Sequence, residues 1–588
     1  MKNQIHAQPK FSFAATLLGI LFALAAAAHA ADPRTNGWFT TYSGKYARIY
    51  TNNTMLTSGT VLTTWSNGSQ TQSSPAYCGV QEVYSSSNSV YIRSTGLASY
   101  NMGPWQNGSF PNLPVNQKIF YRVPRTNNVP ATKSITGGGQ IGIFVDGVEM
   151  FNSWDAFYWN GSADTGGGGT GYWNRDAYVN EGPTFDPGNA HQQNTGTYHY
   201  HANPIALRYL LGDHVDYNSA AKTYSESTNA PTKHSPILGW VADGFPIYGP
   251  YGYSVSNDAS SGIRRMISGY VIRNGAYGTS NLTANGRTTI PQWAVRLFNV
   301  ASNILAGPAV SSSYPLGRYM EDNDFLGDHG IAPGTNTYDL DEYNGRWCVT
   351  PEFPNGTYAY FVAIAADGTP VFPYNIGRGY YGSPVGGAVT SISETIVTNF
   401  LGGPDAAPTL NAPSVKSGAV TLTWSATEGG TYMVQSTTNF STWTTNSTTV
   451  AAVLNAASFT NNLADNYRFY RVAQTALATY DSVGTGSGGG GASYAVPGNS
   501  TISRGTGTNI TLTITLPGNP PSRPANAPIT SVTLGSLSAT SFSDATSGTV
   551  LANFTIPANA TTGEQTVVVT FTSGPPPYSF SNALNLTP

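Results

Sequence analysis

The sequence predicts a mainly β fold: a large β-rich domain with few short helices, followed by two small β-sandwich domains. Three observations carry this expectation. Charged residues make up only 10% of the 588-residue chain, against about a quarter in ordinary globular proteins. Ser, Thr, Asn and Gly must then supply solubility, and they favour turns and strands over long surface helices. The apolar runs are short and broken by Gly, Asn and Pro. Two C-terminal stretches, 409–478 and 495–588, alternate apolar and polar residues with the period of a half-buried strand.

At 588 residues the chain exceeds what one hydrophobic core serves, and its 40% hydrophobic content argues against a disordered chain. Two Gly/Pro/Ser-rich breaks, Leu401–Pro408 and Gly484–Ser493, divide it. The expected organisation is a signal peptide over 1–30, a β-rich domain over 31–400, and modules over 409–478 and 495–588. Val420-Thr421-Leu422-Thr423-Trp424 and Tyr432-Met433-Val434-Gln435-Ser436 alternate clearly in the first module, which is similar to fibronectin-III sandwiches. Ile510–Ile514 and Thr566–Phe571 do so in the second, which resembles an immunoglobulin-like sandwich.

Residues 1–30 read as an export signal. Lys2 and Lys10 precede the apolar run Phe11–Ala27, and Ala28-His29-Ala30 supplies small residues for cleavage after Ala30. The expected location is secreted, periplasmic or cell-surface. Removing that segment lowers Lys+Arg from 27 to 25 against 30 Asp+Glu, a net charge of −5. That balance gives no footing for nucleic acid. No later apolar segment has the length of a membrane span. The two cysteines, Cys78 and Cys348, can form one disulfide in an oxidising compartment; buried free thiols are the alternative.

Six histidines lie beyond residue 30, and five of them fall within 191–234. In Tyr198-His199-Tyr200-His201, residues two apart share one face of a strand, about 6.6 Å apart along its axis. His199 and His201 therefore project together, and Tyr198 and Tyr200 take the other face. His191 precedes the turn residues Gln192–Gly196, through which a hairpin returns it toward the pair. Three histidines in this arrangement suit a metal site with an open position. Imidazole ligands favour a transition metal, Zn or Cu first, over Mg or Ca. Asp186 and Glu181 are candidates for a fourth ligand, an orienting group or a general base. Downstream of His201, Asn203 is placed to cap a helix running from Ile205 to Leu211 and ended by Gly212.

Two further segments carry acids. Asp243 opens the aromatic loop Asp243–Gly252, where it serves either as a turn cap or as a ligand or base. Asp339–Arg346 gathers three carboxylates, read by default as a surface turn. An internal echo links Gly196-Thr197-Tyr198-His199-Tyr200-His201 with Gly356-Thr357-Tyr358-Ala359-Tyr360-Phe361. If the two strands are related, the tyrosine face is scaffold and the histidine face is specialised.

The motif at 198–201 resembles that of the YHYH-domain proteins. Supporting segments are Gly171–Ala177, His191, Gly196–His201, His234–Gly239, Asp243–Pro250, Leu340–Gly345 and Phe372-Pro373-Tyr374, together spanning about residues 130–385. The resemblance implies an exported domain often joined to other modules. It also implies a second YHYH-like strand late in the domain, where Tyr358-Ala359-Tyr360-Phe361 stands without histidines. Two functional classes follow. One is a metal-dependent enzyme, hydrolytic or oxidative, acting on extracellular polymer or glycan. The other is a binding protein, either an adhesive surface that stacks sugars on aromatic rings or a metal-sequestering protein.

Overall fold

A computed structural model of the protein describes residues 32–483, apart from 68–69, 106–111, 167–170, 335 and 463–467, together with strands between 493 and 587. The expected signal peptide and most of the second Gly-rich break lie outside the described residues. The described chain is mainly β, as its composition requires.

Eight strands form the sheet that positions the histidines. In chain order they are β1 (Gln140–Phe144), β2 (Glu149–Phe151), β3 (Ala190–Gln192), β4 (Tyr198–Tyr200), β5 (Ile237–Val241), β6 (Pro246–Tyr248), β7 (Gly345–Cys348) and β8 (Thr357–Phe361). Their order across the sheet is β3-β4-β2-β1-β5-β6-β8-β7. From either edge the pairings read antiparallel, parallel, antiparallel, with an antiparallel β1–β5 contact at the centre. The sheet is therefore built from two copies of one four-strand unit.

The registers confirm the duplication residue by residue. Gly142 opposes Val241 and Phe144 opposes Gly239 about the centre. A Cβ at Gly142 would stand 2.7 Å from the Trp240 carbonyl oxygen, and one at Gly239 would stand 2.7 Å from that of Ile143. Glycine at both positions lets the central strands close together. The β1–β2 turn uses Asp146-Gly147 and the β5–β6 turn Asp243-Gly244, each glycine near φ +80°. His191 opposes His199 in one copy, and Arg346 opposes Ala359 in the other. The sequence echo at 196–201 and 356–361 thus marks structurally related strands.

A five-stranded sheet, ordered Gly387–Ala388, Ile119–Pro124, Ser89–Ser94, Val80–Ser85 and Val397–Leu401, shares one core with the first. Val83, Val90, Ile92, Tyr121 and Val123 meet Ile141, Ile143 and Val241 there. A smaller cluster gathers Trp154, Trp173, Trp293 and Tyr319. Strands between 414 and 477 form two three-stranded sheets, and alternation points Val420, Leu422 and Trp424 toward Tyr432 and Val434. Arg48 pairs with Glu428, and the Tyr77 hydroxyl donates to the Glu428 carbonyl at 2.9 Å, joining this unit to the large domain. Strands between 493 and 587 form a four-stranded and a five-stranded sheet.

Two expectations need correction. Cys78 and Cys348 form no disulfide; both are buried free thiols. Each is held in separate backbone pairing, Cys78 against Lys45 and Cys348 against Thr357 at the edge of the large sheet. The helix Ile205–Leu210 forms and Gly212 follows it with φ +67°, but Asn203 does not cap it. Its side-chain oxygen instead accepts from the Arg208 guanidinium at 2.9 Å. The expected turn over Asp339–Arg346 forms, and within it the half-buried Asp341 accepts from the Tyr358 hydroxyl at 2.8 Å and the Tyr343 amide at 2.9 Å.

Candidate metal centre

Strands β3 and β4 form the expected hairpin and set His191 directly across from His199. His201 follows β4 by one residue and keeps to the same face. The three rings are 1–3% exposed, and one ligand atom from each lies within 4.8 Å of the others. Such a group can hold a metal ion.

Hydrogen bonds to the opposite edge of each ring decide which nitrogen faces inward. His199 Nδ1 is 2.9 Å from the Thr197 carbonyl oxygen, and His201 Nδ1 is 2.6 Å from that of Asn152. A carbonyl only accepts, so both Nδ1 atoms carry hydrogen. His191 Nδ1 lies 2.9 Å from the Thr184 hydroxyl, which gives its own hydrogen to the Glu181 carbonyl at 2.6 Å. That hydroxyl therefore accepts from His191 as well. All three Nε2 atoms are left as the lone-pair side, and the Nε2 atoms of His199 and His201 stand 3.0 Å apart. Tying the outer ring nitrogen in this way fixes tautomer and orientation, as metal-ligating histidines require.

Glu181 completes the group. Its carboxylate is 3.2 Å from His201 Nε2 and 3.6 Å from His191 Nε2, and its side chain is 24% exposed. It ends the helix Ala177–Glu181, whose first turn is capped by Asp176 through a bond from the Val179 amide at 3.0 Å. Apolar rings close the remaining sides. Phe151 stacks on His199 at 3.9 Å, and Phe185 sets its edge on His191 at 4.7 Å. Burial, then the neighbouring imidazoles, hold His191 well below the ordinary imidazole range, and His199 likewise. Burial also pulls His201 down, but the hydrogen bond and charge of Glu181 outweigh it and raise this one ring.

Of the acids singled out in the sequence, Glu181 reaches the histidines and Asp186 does not. The Asp186 carboxylate is buried on the tyrosine face, accepting from the Tyr198 hydroxyl at 2.6 Å and the Gly103 amide at 2.8 Å. Burial, partly offset by those bonds, raises it to about 6. The Tyr100 hydroxyl, 2.7 Å from those of both Tyr198 and Tyr200, extends the network. Asp243 belongs to the other copy of the unit. It accepts from the Tyr360 hydroxyl at 2.6 Å and the Gly382 amide at 2.9 Å, a turn anchor distant in the sheet from β3 and β4. Asn152, Thr184, Phe151 and Phe185 were not legible as site residues. Asn152 and Phe151 arrive only through the parallel pairing of β4 with β2, for which period and spacing carry no signal.

These features define a class: a β-sheet protein with a buried three-histidine, one-carboxylate cluster at the edge of a duplicated sheet. The model of the family described as YHYH protein matches residues 120–372, supporting the resemblance over that part of the chain. No curated protein matches it. Among the described residues, no helix is long and apolar enough to cross a membrane.

Proposed function

We propose that this exported protein binds one transition-metal ion through Nε2 of His191, His199 and His201, with the Glu181 carboxylate as a displaceable fourth ligand. The single observation behind this reading is that every outer ring nitrogen is engaged while the Nε2 atoms converge. Two imidazole lone pairs 3.0 Å apart repel unless a cation lies between them. Imidazole donors suit Zn or Cu first. Glu181 is the only partly exposed member of the group, so exchange of its oxygen for a water or another small ligand is the way chemistry reaches the ion.

Burial of the histidines favours a small molecule over an extended polymer at the ion. A polymer-active or glycan-adhesive reading would need an open groove along β3 and β4, where Phe151 and Phe185 are packed. The same geometry serves a metal-sequestering protein, and turnover separates the two.

Elemental analysis of the purified full chain after reconstitution tests the proposal. About one Zn or Cu per chain is expected, lost in the His199→Ala/His201→Ala double variant. Equal sub-stoichiometric metal in both proteins would overturn it.

A further inference from the structure

We propose that the two-sheet unit between residues 414 and 477 binds an acidic polysaccharide, a polymer of uronic-acid rings, on an exposed aromatic face. This site is independent of the metal centre.

Three strands build the face: Thr444–Ala451, Gly430–Thr437 and Phe469–Leu477, side by side in that order. Burial alternates along the middle strand, so Val434 turns into the core and Gln435 outward. Register sets Thr445 and Arg471 on either side of Gln435. Their side chains join in a row. Arg471 Nε donates to Gln435 Oε1 at 2.8 Å, and Gln435 Nε2 donates to Thr445 Oγ1 at 3.0 Å. Phe469 lies two residues before Arg471 and shares its side of the strand. Phe440 meets Phe469 at 4.1 Å and Trp443 at 6.4 Å, and the Arg471 guanidinium lies over the Trp443 ring at 4.2 Å. Rings and polar groups thus form one continuous surface.

Two observations point to a ligand. Phe440 is 61% exposed and Phe469 42%, an adjoining aromatic pair left in solvent. Phe440 also holds φ +58°, a left-handed backbone that is costly for any residue with a side chain and suits glycine. The turn is fixed there by hydrogen bonds. The Thr437 hydroxyl accepts from the Asn439 and Phe440 amides at 3.2 and 3.1 Å, and the Asn439 side chain accepts from the Ser441 and Thr442 amides at 3.0 Å each. Glycine would fit this backbone with less strain, yet the chain presents a ring to solvent.

Charge complementarity selects the ligand. Arg471 is the one charged side chain in the row. The unit carries Lys416, Arg468 and Arg471 against Glu428 and Asp465, a positive surplus in a chain of net charge −3. Glu428 is already occupied by Arg48. A guanidinium pairs best with a planar carboxylate. A pyranose ring offers an apolar C–H face to Phe440 and Phe469, and its hydroxyls suit Gln435 and Thr445. A uronic acid joins all three features in one ring.

Native gel electrophoresis of the full-length protein through polygalacturonate, hydroxyethylcellulose or polyglutamate tests the site. Saturable retardation by polygalacturonate is expected. Weaker retardation is expected from the neutral cellulose derivative, and from polyglutamate, which has carboxylates but no sugar ring. Phe440→Gly and Arg471→Gln should each weaken polygalacturonate binding about tenfold. Phe440→Gly should melt no lower than the parent protein, since glycine relieves the left-handed backbone. Metal content should be unchanged in both variants, which separates failure here from failure of the metal reading. No retardation by polygalacturonate, equal retardation by either other polymer, or binding untouched by both variants would overturn the proposal. So would a dimer of the parent protein that Phe440→Gly dissociates, because a second copy would then be what covers the face.

Discussion

Nε2 of His199 faces Nε2 of His201 across 3.0 Å, and each ring holds its other nitrogen against a backbone carbonyl. Neither ring can turn a hydrogen inward in its neutral form without breaking a buried hydrogen bond. Without a metal, a proton on His201, held by Glu181, relieves the repulsion; with one, the ion replaces that proton.

Metal binding should therefore release about one proton near neutral pH. His201 is raised above the ordinary imidazole value, so apparent affinity should fall as pH drops through that raised value. Titration calorimetry in buffers of different ionisation enthalpy measures the release directly. A binding enthalpy independent of the buffer would contradict the assignment.

Thr184→Val removes the hydroxyl that orients His191 while keeping its volume. Affinity for the metal should fall about 10–100-fold with little change in fold, as for other groups that orient a ligand from behind. Competition against a chelator of known affinity reads this. Glu181→Gln should weaken binding by a similar factor and leave the three-histidine set intact.

Tyr198→Phe should act on stability and not on the metal. It leaves the buried Asp186 carboxylate without its 2.6 Å donor, a loss of about 1–3 kcal/mol. Thermal unfolding checks the loss and metal content the separation. A variant that unfolds normally but loses metal would reverse the roles of the two faces.

Burial raises Asp146 to about 7, and one of its carboxylate oxygens has no partner. The folded state therefore holds this proton to higher pH than the unfolded chain does, and stability should decline as pH rises from about 4 to about 7. Glu149, Asp176 and Glu321, each raised by burial to about 7, push the same way. The large domain should melt higher at pH 5 than at pH 8. Asp146→Asn should reduce that difference by up to about 3 kcal/mol, since only the two pH units from 5 to about 7 fall inside the window and each is worth about 1.4 kcal/mol. Identical pH dependence in the variant would remove Asp146 as a source.

Much of this protein is local in origin and was legible in residue order. Strands follow from short apolar runs between Gly, Asn and Pro, because alternation of side chains with period two is a property of a single extended segment. The same period set His199 and His201 on one face and Tyr198 and Tyr200 on the other, and the turn at Gln192–Gly196 brought His191 back. The choice between Glu181 and Asp186 was not local. They lie five residues apart, with like charge, and only the packing of Asp186 against Tyr198 and Gly103 takes it to the far face while Glu181 turns inward. Asn152 and Phe151 join the histidines through a parallel strand pairing. Such contacts depend on which distant backbones the core brings together, and hydrophobic period does not encode partner choice.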